Sequence, residues 1–258
     1  MPTHVEHVMG MAVSIDIRDE AADAGRLAAA VGEVVDWLRW VDATFSTYDE
    51  ASQVRRIDRA ELTVGDAAPE VAEILALGER YRIDTGGYFD VRAGGPLDPS
   101  GVVKGWSVER ASELLLAAGF PDHAVNAGGD VRLRGAPAPG RRWRVGVAHP
   151  HVRDGLAAVV QMGDGAVATS GTAERGPHVV DPHTGRPALE RASVTVVGAS
   201  LVAADAYATA ALAMGRSALA WLERLAGHDA YVVDADGDSW WTAGFPLADR
   251  PSTRRDGC

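Results

Sequence analysis

The sequence predicts an α+β fold: a mostly antiparallel sheet core packed with helices, in a single compact unit. Three observations predict it. Segments with apolar residues at helical spacing fill much of the first half of the chain. Short β-branched runs between turn signals follow from Ala124 onward. A helix and a final hairpin close the chain, so strands and helices do not alternate as a parallel βαβ fold would require. The 258 residues show no linker and no internal repeat, which favours one unit.

Each element has its own signal. "HVMGMAVSIDI" (His7 to Ile17) reads as a strand, and "HVEH" (His4 to His7), which overlaps its start, reads as a polar N-terminal segment rather than a metal chelate. Glu20 to Phe45 is amphipathic, with Val31, Val34, Val35 and Leu38 on one stripe. A second helix begins near Pro69 and stops before Gly86–Gly87. "GGPLDPSGVVKG" (Gly94 to Gly105) reads as a Gly/Pro loop feeding the next helix near Lys104–Gly105. "AVNAGGDVRLRG" predicts a hairpin turning at Gly128–Gly129, where the two glycines serve either an ordinary turn or a close backbone approach to a ligand. "RWRVGVAHP", "AAVVQMG", "GAVATSG", "PHVVD" and "ASVTVVGA" are further strands. A long helix is expected from Ala203 to Ala226, then a strand pair around Asp236–Gly237. The domain is expected to span residues 1–246, with a polar tail from Leu247 to Cys258.

Composition excludes several function classes. Apolar residues make up 47% of the chain, enough for a real core. The formal net charge of −11 argues against a nucleic-acid or anionic-lipid binder, though not against one anion held at a local site. The single cysteine, Cys258, permits no intrachain disulfide and no cysteine-based zinc site. No signal peptide is read at the N-terminus, and no charge-free apolar run reaches the ~18 residues of a membrane span. No membrane insertion is expected, and the lone cysteine fits a reducing compartment.

Several motifs carry possible chemistry. "DADGD" (Asp234 to Asp238) fails as a calcium loop, because the twelfth position is Phe245 rather than a glutamate. His149 and His151 would share one face of a strand end, with no third ligand nearby. The loop before Lys104 could hold a phosphate through backbone N–H groups, a helix N-terminus and the lysine, but it lacks Walker spacing. In "AADAYATAA", Asp205 and Thr209 lie four apart on one helical face among alanines. A carboxylate there must be paired, hydrated or metal-bound. Two oxygens at that spacing suit Mg²⁺, or Asp205 caps a helix starting at Ala203. "PHVVDPHTGRP" places His178, Asp181 and His183 together as a metal site, an acid–base site or a polar loop.

Taken in order, "GYFDV", "SGVVKGWSVERA", "VNAGGDVRLRG", "WRVGVAHP", "AVATSG", "PHVVDPHTGRP" and "SVTVVGASLVAADAYATAALAMG" resemble the ApbE family, the FAD:protein FMN transferases. The resemblance runs from about Met9 to Gly215. It implies that FAD is the substrate, that Mg²⁺ is required, and that FMN passes to a Thr or Ser hydroxyl of an acceptor flavoprotein as AMP leaves. FAD pyrophosphatase activity and non-catalytic FAD binding are the alternatives. By resemblance, Gly101, Asp205 and Thr209 are metal ligands, Gly101 through its backbone carbonyl. Asp98 and Lys104 line the FAD site. Met9, Tyr48, Tyr88, Phe89 and Asp90 match segments that hold the flavin and adenosine, and Val180 a strand position that meets the flavin. His178 matches a base for the acceptor hydroxyl, a task suited to imidazole. His183 is then an exposed turn histidine. Compared with many members, the loop between "FDV" and "LDPSG" is short. Ala208 stands where some members carry a second acid. Many members begin with a lipoprotein signal; none is read here, so the resemblance implies a cytoplasmic enzyme.

Overall fold

A two-residue turn sets the first edge of the sheet. Met9 and Gly10 both adopt positive φ, 54° and 70°, so the chain reverses tightly as in a primed hairpin turn. This splits the expected single strand into β1 (His4–Val8) and β2 (Met11–Ile17), paired antiparallel. His4 and His7 therefore lie within β1, not in a loose N-terminal segment. The structure is a computed structural model that describes residues 3–19, 23–172, 176 and 179–248.

The other strands are β3 (His123–Ala127), β4 (Asp130–Arg134), β5 (Trp143–Ala148), β6 (Leu156–Met162), β7 (Gly165–Gly171), β8 (Val180–Asp181), β9 (Arg186–Pro187), β10 (Arg191–Gly198), β11 (Asp229–Asp234) and β12 (Ser239–Trp241). The helices are α1 (Ala24–Phe45), α2 (Gln53–Asp58), α3 (Pro69–Asp84), α4 (Ser100–Ala117), α5 (Leu201–Met214) and α6 (Ala218–Leu222). Among the described residues, eight strands form one sheet in the order β1-β2-β3-β4-β7-β10-β11-β12. Each neighbouring pair is antiparallel. This is the expected α+β architecture. As anticipated, β3 and β4 turn at Gly128–Gly129, both at positive φ.

Side-chain alternation divides the sheet into two working faces. Val13, Ile15, Val125, Ala166, Ala168, Val194, Val196 and Val232 join the main core with Leu38, Val41, Val102 and Leu115 of the helices. The opposite parity, Val167, Val197, Tyr231 and Val233, packs with Val147 and Val160 of the β5–β6 ribbon. β10 is consequently buried along nearly its whole length, and its unbroken β-branched run reflects cover on both sides. Leu247 bridges to Val160 and the Ala248 N–H donates to the Val159 carbonyl. The start of the expected tail is thus tied to the ribbon.

Helix boundaries depart from expectation at both ends of the functional region. α4 starts at Ser100, five residues before the expected start. Gly101 and Gly105, which suggested a loop, are packing glycines. A Cβ on Gly101 would meet the Phe89 ring at 3.1 Å, and one on Gly105 would meet the Leu201 carbonyl oxygen at 2.8 Å. The long helix expected over 203–226 is α5 and α6 separated by a short 3-10 turn, because the chain bends at Gly215, φ 58°. α5 is buried almost all round, as a helix sandwiched between sheet and other helices must be. It packs on β7 and β10 and against α4.

Candidate active site

A cavity of about 1040 Å³ opens between the first turn of α4, the β1–β2 and β3–β4 turns, and the end of β5. Its walls include the expected FAD-site residues Met9, Tyr48, Tyr88, Phe89, Asp90, Asp98, Lys104 and Val180. Gly101 and Thr209 also reach the wall. Asp205 lies behind it, 2% exposed. His178 lies outside the described residues.

Local structure explains these positions. The positive-φ turn presents Met9 at one rim, and its Sδ is 3.9 Å from the Ser107 Oγ of α4. Tyr48, on the loop after α1, is 93% exposed and caps the opening with an aromatic face. Phe89 is held by its N–H, which donates to the Thr85 Oγ1. The turn after β8 is fixed by Asp181, whose carboxylate accepts from the His183 N–H and the Thr184 hydroxyl, both at 2.9 Å. His183 is exposed. Its ring packs edge-on against Tyr88, and its Nε2 is 3.1 Å from the Gly86 carbonyl. It thus joins two segments near the cavity without entering it.

The chemistry concentrates where α4 crosses α5. Asp205 is one turn into α5, whose N-cap is Ser200. The helix-capping alternative therefore falls away. Instead, the Gly105 N–H of α4 donates to Asp205 Oδ2 at 3.1 Å. That bond is possible only because Gly105 lacks a side chain that would push the helices apart. One turn further along α5, the Thr209 hydroxyl is 3.0 Å from the Ser170 hydroxyl of β7. It also lies 3.8 Å from the position a Gly101 Cβ would take. Gly101, Asp205 and Thr209 thus converge from two helices.

A second carboxylate joins them. Asp130, the first residue of β4, is fully buried. The Lys104 ammonium is 2.6 Å from Asp130 Oδ2 and 3.6 Å from Asp205 Oδ1. Asp130 Oδ2 has no hydrogen-bond partner among the described residues, so the lysine is the compensation seen for it. Two buried carboxyl groups face one ammonium, so the cluster carries a negative excess once both are ionised. The net effect of its surroundings raises the Asp205 carboxyl to about 7: burial, the largest cause, pushes it up, Lys104 pulls it down, Asp130 pushes it up and the Gly105 N–H pulls it down. A divalent cation would remove that excess. Among the described residues, no three His, Cys, Asp or Glu side chains form a cage. A few carboxylate and hydroxyl oxygens beside an open cavity fit Mg²⁺, which commonly takes one or two carboxylates and completes its shell with water and phosphate. Asp130, the last residue of the "NAGGD" motif, was not among the expected site residues.

The sequence model of the ApbE family matches residues 9–96 and 92–232. The chain belongs to the ApbE family. A FAD:protein FMN transferase of Vibrio cholerae is 36% identical over 129 residues, covering 46% of this chain and 39% of that one. One of Escherichia coli K12 is 30% identical over 156 residues, covering 57% and 44%. The matched segment thus spans less than half the length of these relatives. Among solved structures, the ApbE protein of Thermotoga maritima superposes with a TM-score of 0.81 at 21% identity, over 94% of this chain and 97% of that one. The flavin transferase ApbE of Vibrio cholerae gives 0.79 at 23% identity, over 95% and 97%. These likenesses establish an ApbE fold. No described helix is long and apolar enough to cross a membrane.

Proposed function

We propose that this ApbE-family chain transfers FMN from FAD to a Thr or Ser hydroxyl of an acceptor protein and releases AMP. The observation that carries this reading is the convergence of Gly101, Lys104 and Thr209 at the wall of a large cavity, with Asp205 buried directly behind them. The names of the Vibrio cholerae and Escherichia coli relatives support it. At about 1040 Å³ the cavity lies at the upper end of the range for small-molecule and cofactor sites.

In this reading the acceptor hydroxyl attacks the FMN-side phosphorus of the pyrophosphate. A new P–O ester bond forms, the bridging P–O bond breaks, and AMP leaves with the bridging oxygen. The hydroxyl proton passes to His178. Asp205, the Thr209 hydroxyl and the Gly101 carbonyl would hold Mg²⁺, and bound Mg²⁺ would supply charge neutralisation at the pyrophosphate. Lys104 adds positive charge from the same wall and orients the phosphates. Tyr48, Tyr88 and Phe89 offer aromatic surface for the flavin and adenine rings. Burial of the α4–α5 crossing keeps these groups fixed before substrate arrives.

The test is product analysis. Purified protein incubated with FAD, Mg²⁺ and candidate acceptors should release AMP and add the mass of one FMN moiety to an acceptor. AMP and FMN without any labelled acceptor would make the protein an FAD pyrophosphatase. No AMP under any condition would end both readings.

A further inference from the structure

Asp130 is placed unusually for a residue beside a hairpin turn. It directly follows Gly129, yet it is 0% exposed. The backbone ladder between β4 and β7 reaches Val131 opposite Val167. Beyond it, Asp130 Oδ1 accepts the Thr169 N–H at 2.9 Å, so a side chain continues the pairing. The other oxygen, Oδ2, points at the Lys104 ammonium. Lys104 thus sits between two buried carboxylates from different elements, and it leans towards Asp130, at 2.6 Å against 3.6 Å for Asp205.

We propose that Asp130 is a positioning residue that draws the Lys104 ammonium off Asp205, leaving the Asp205 carboxylate and the Thr209 hydroxyl open to a divalent cation. The inference rests on the assignment of Asp205 as a metal ligand. A lysine stem is flexible and its head is a compact point charge. With Asp130 neutralised, the ammonium closes on Asp205 and competes with an incoming cation. Closing from 3.6 Å to about 2.8 Å at an effective dielectric constant of about 20 corresponds to about a tenfold loss of cation affinity.

Mn²⁺ alone is the probe, its free concentration read by electron paramagnetic resonance. Asp130→Asn keeps an oxygen for the Thr169 N–H and removes the charge. It should bind Mn²⁺ about tenfold more weakly than the wild-type chain. Adding Lys104→Met to that variant should restore affinity to within about threefold of wild type, since the competing ammonium is gone. A purely structural role for Asp130 would show no such rescue. Unchanged binding in Asp130→Asn, or a double variant as weak as the single one, overturns the proposal. If Asp130→Asn does not fold, Lys104→Met alone decides: it should bind Mn²⁺ at least as tightly as wild type, and weaker binding overturns the proposal. Asp205→Asn separates the two levels. Loss of Mn²⁺ there with no effect of Asp130→Asn removes only the positioning role. Wild-type binding in Asp205→Asn removes the metal assignment, and the positioning role falls with it.

Discussion

Gly105→Ala tests the packing that places Asp205. Helix propensity alone predicts stabilisation, because alanine is about 1 kcal/mol better than glycine inside a helix. The structure predicts the opposite. The new Cβ would lie 2.8 Å from the Leu201 carbonyl oxygen and 3.0 Å from the Val202 Cα, both backbone atoms of α5. Ordinary contact begins at 3.4 Å, so the helices must part by about 0.6 Å. Overpacking of this kind costs about 1–3 kcal/mol. The same movement stretches the 3.1 Å bond from the Gly105 N–H to Asp205 towards about 3.7 Å, beyond hydrogen-bond range. A bond to a charged group contributes about 1.5–3 kcal/mol. After the helix-propensity gain, the net loss is about 1.5–5 kcal/mol, or a fall in Tm of roughly 3–20 °C for a chain of this size. Thermal unfolding followed by circular dichroism, without metal at pH 7, reads it directly. An unchanged or raised Tm would refute the close α4–α5 approach.

Two further outcomes are expected. The raised carboxyl of Asp205 means that the folded chain keeps a proton which the unfolded chain, near 3.8, has released. Stability of the metal-free protein should therefore fall as pH rises from about 4 to about 7 and level off above that. Melting curves in chelator from pH 5 to 8 should show this decline in the wild type relative to Asp205→Asn; parallel curves would exclude it. Tyr48→Ala removes an aromatic ring that is almost fully exposed at the cavity rim. It should leave Tm within about 1 °C, since surface changes rarely exceed about 0.5 kcal/mol. FAD binding, followed by flavin fluorescence, should weaken about fivefold from lost stacking.

Much of this architecture was legible in the sequence because its signals are local. The β3–β4 turn was readable from two adjacent glycines, both of which adopt positive φ. Helix α3 was readable from Pro69 at its start and the glycine pair after its end. The β1–β2 turn was hidden because Met9, a residue with no turn preference, takes the left-handed position. The start of α4 was hidden for a different reason. Gly101 and Gly105 mimic a loop, while their actual role is to let Phe89 and α5 approach. The α2 helix, only six residues long, left no periodic signal. At the site, Asp205 and Thr209 were visible as one helical face. Asp130 was not, because its partners Lys104 and Thr169 come from other elements, Thr169 being 39 residues away. Such a juxtaposition exists only after folding.

In the proposed reaction, Asp205 organises metal-assisted cleavage of the FAD pyrophosphate. Chromatography of nucleotides from FAD, Mg²⁺ and candidate acceptor proteins, with acceptor masses read in parallel, tests it most directly. The wild-type chain should release AMP and label an acceptor with one FMN moiety. Asp205→Asn should retain its fold yet lose at least about 100-fold in rate, since metal charge stabilisation amounts to several kcal/mol. AMP release at the wild-type rate from Asp205→Asn, or no AMP from the wild type, would contradict the account.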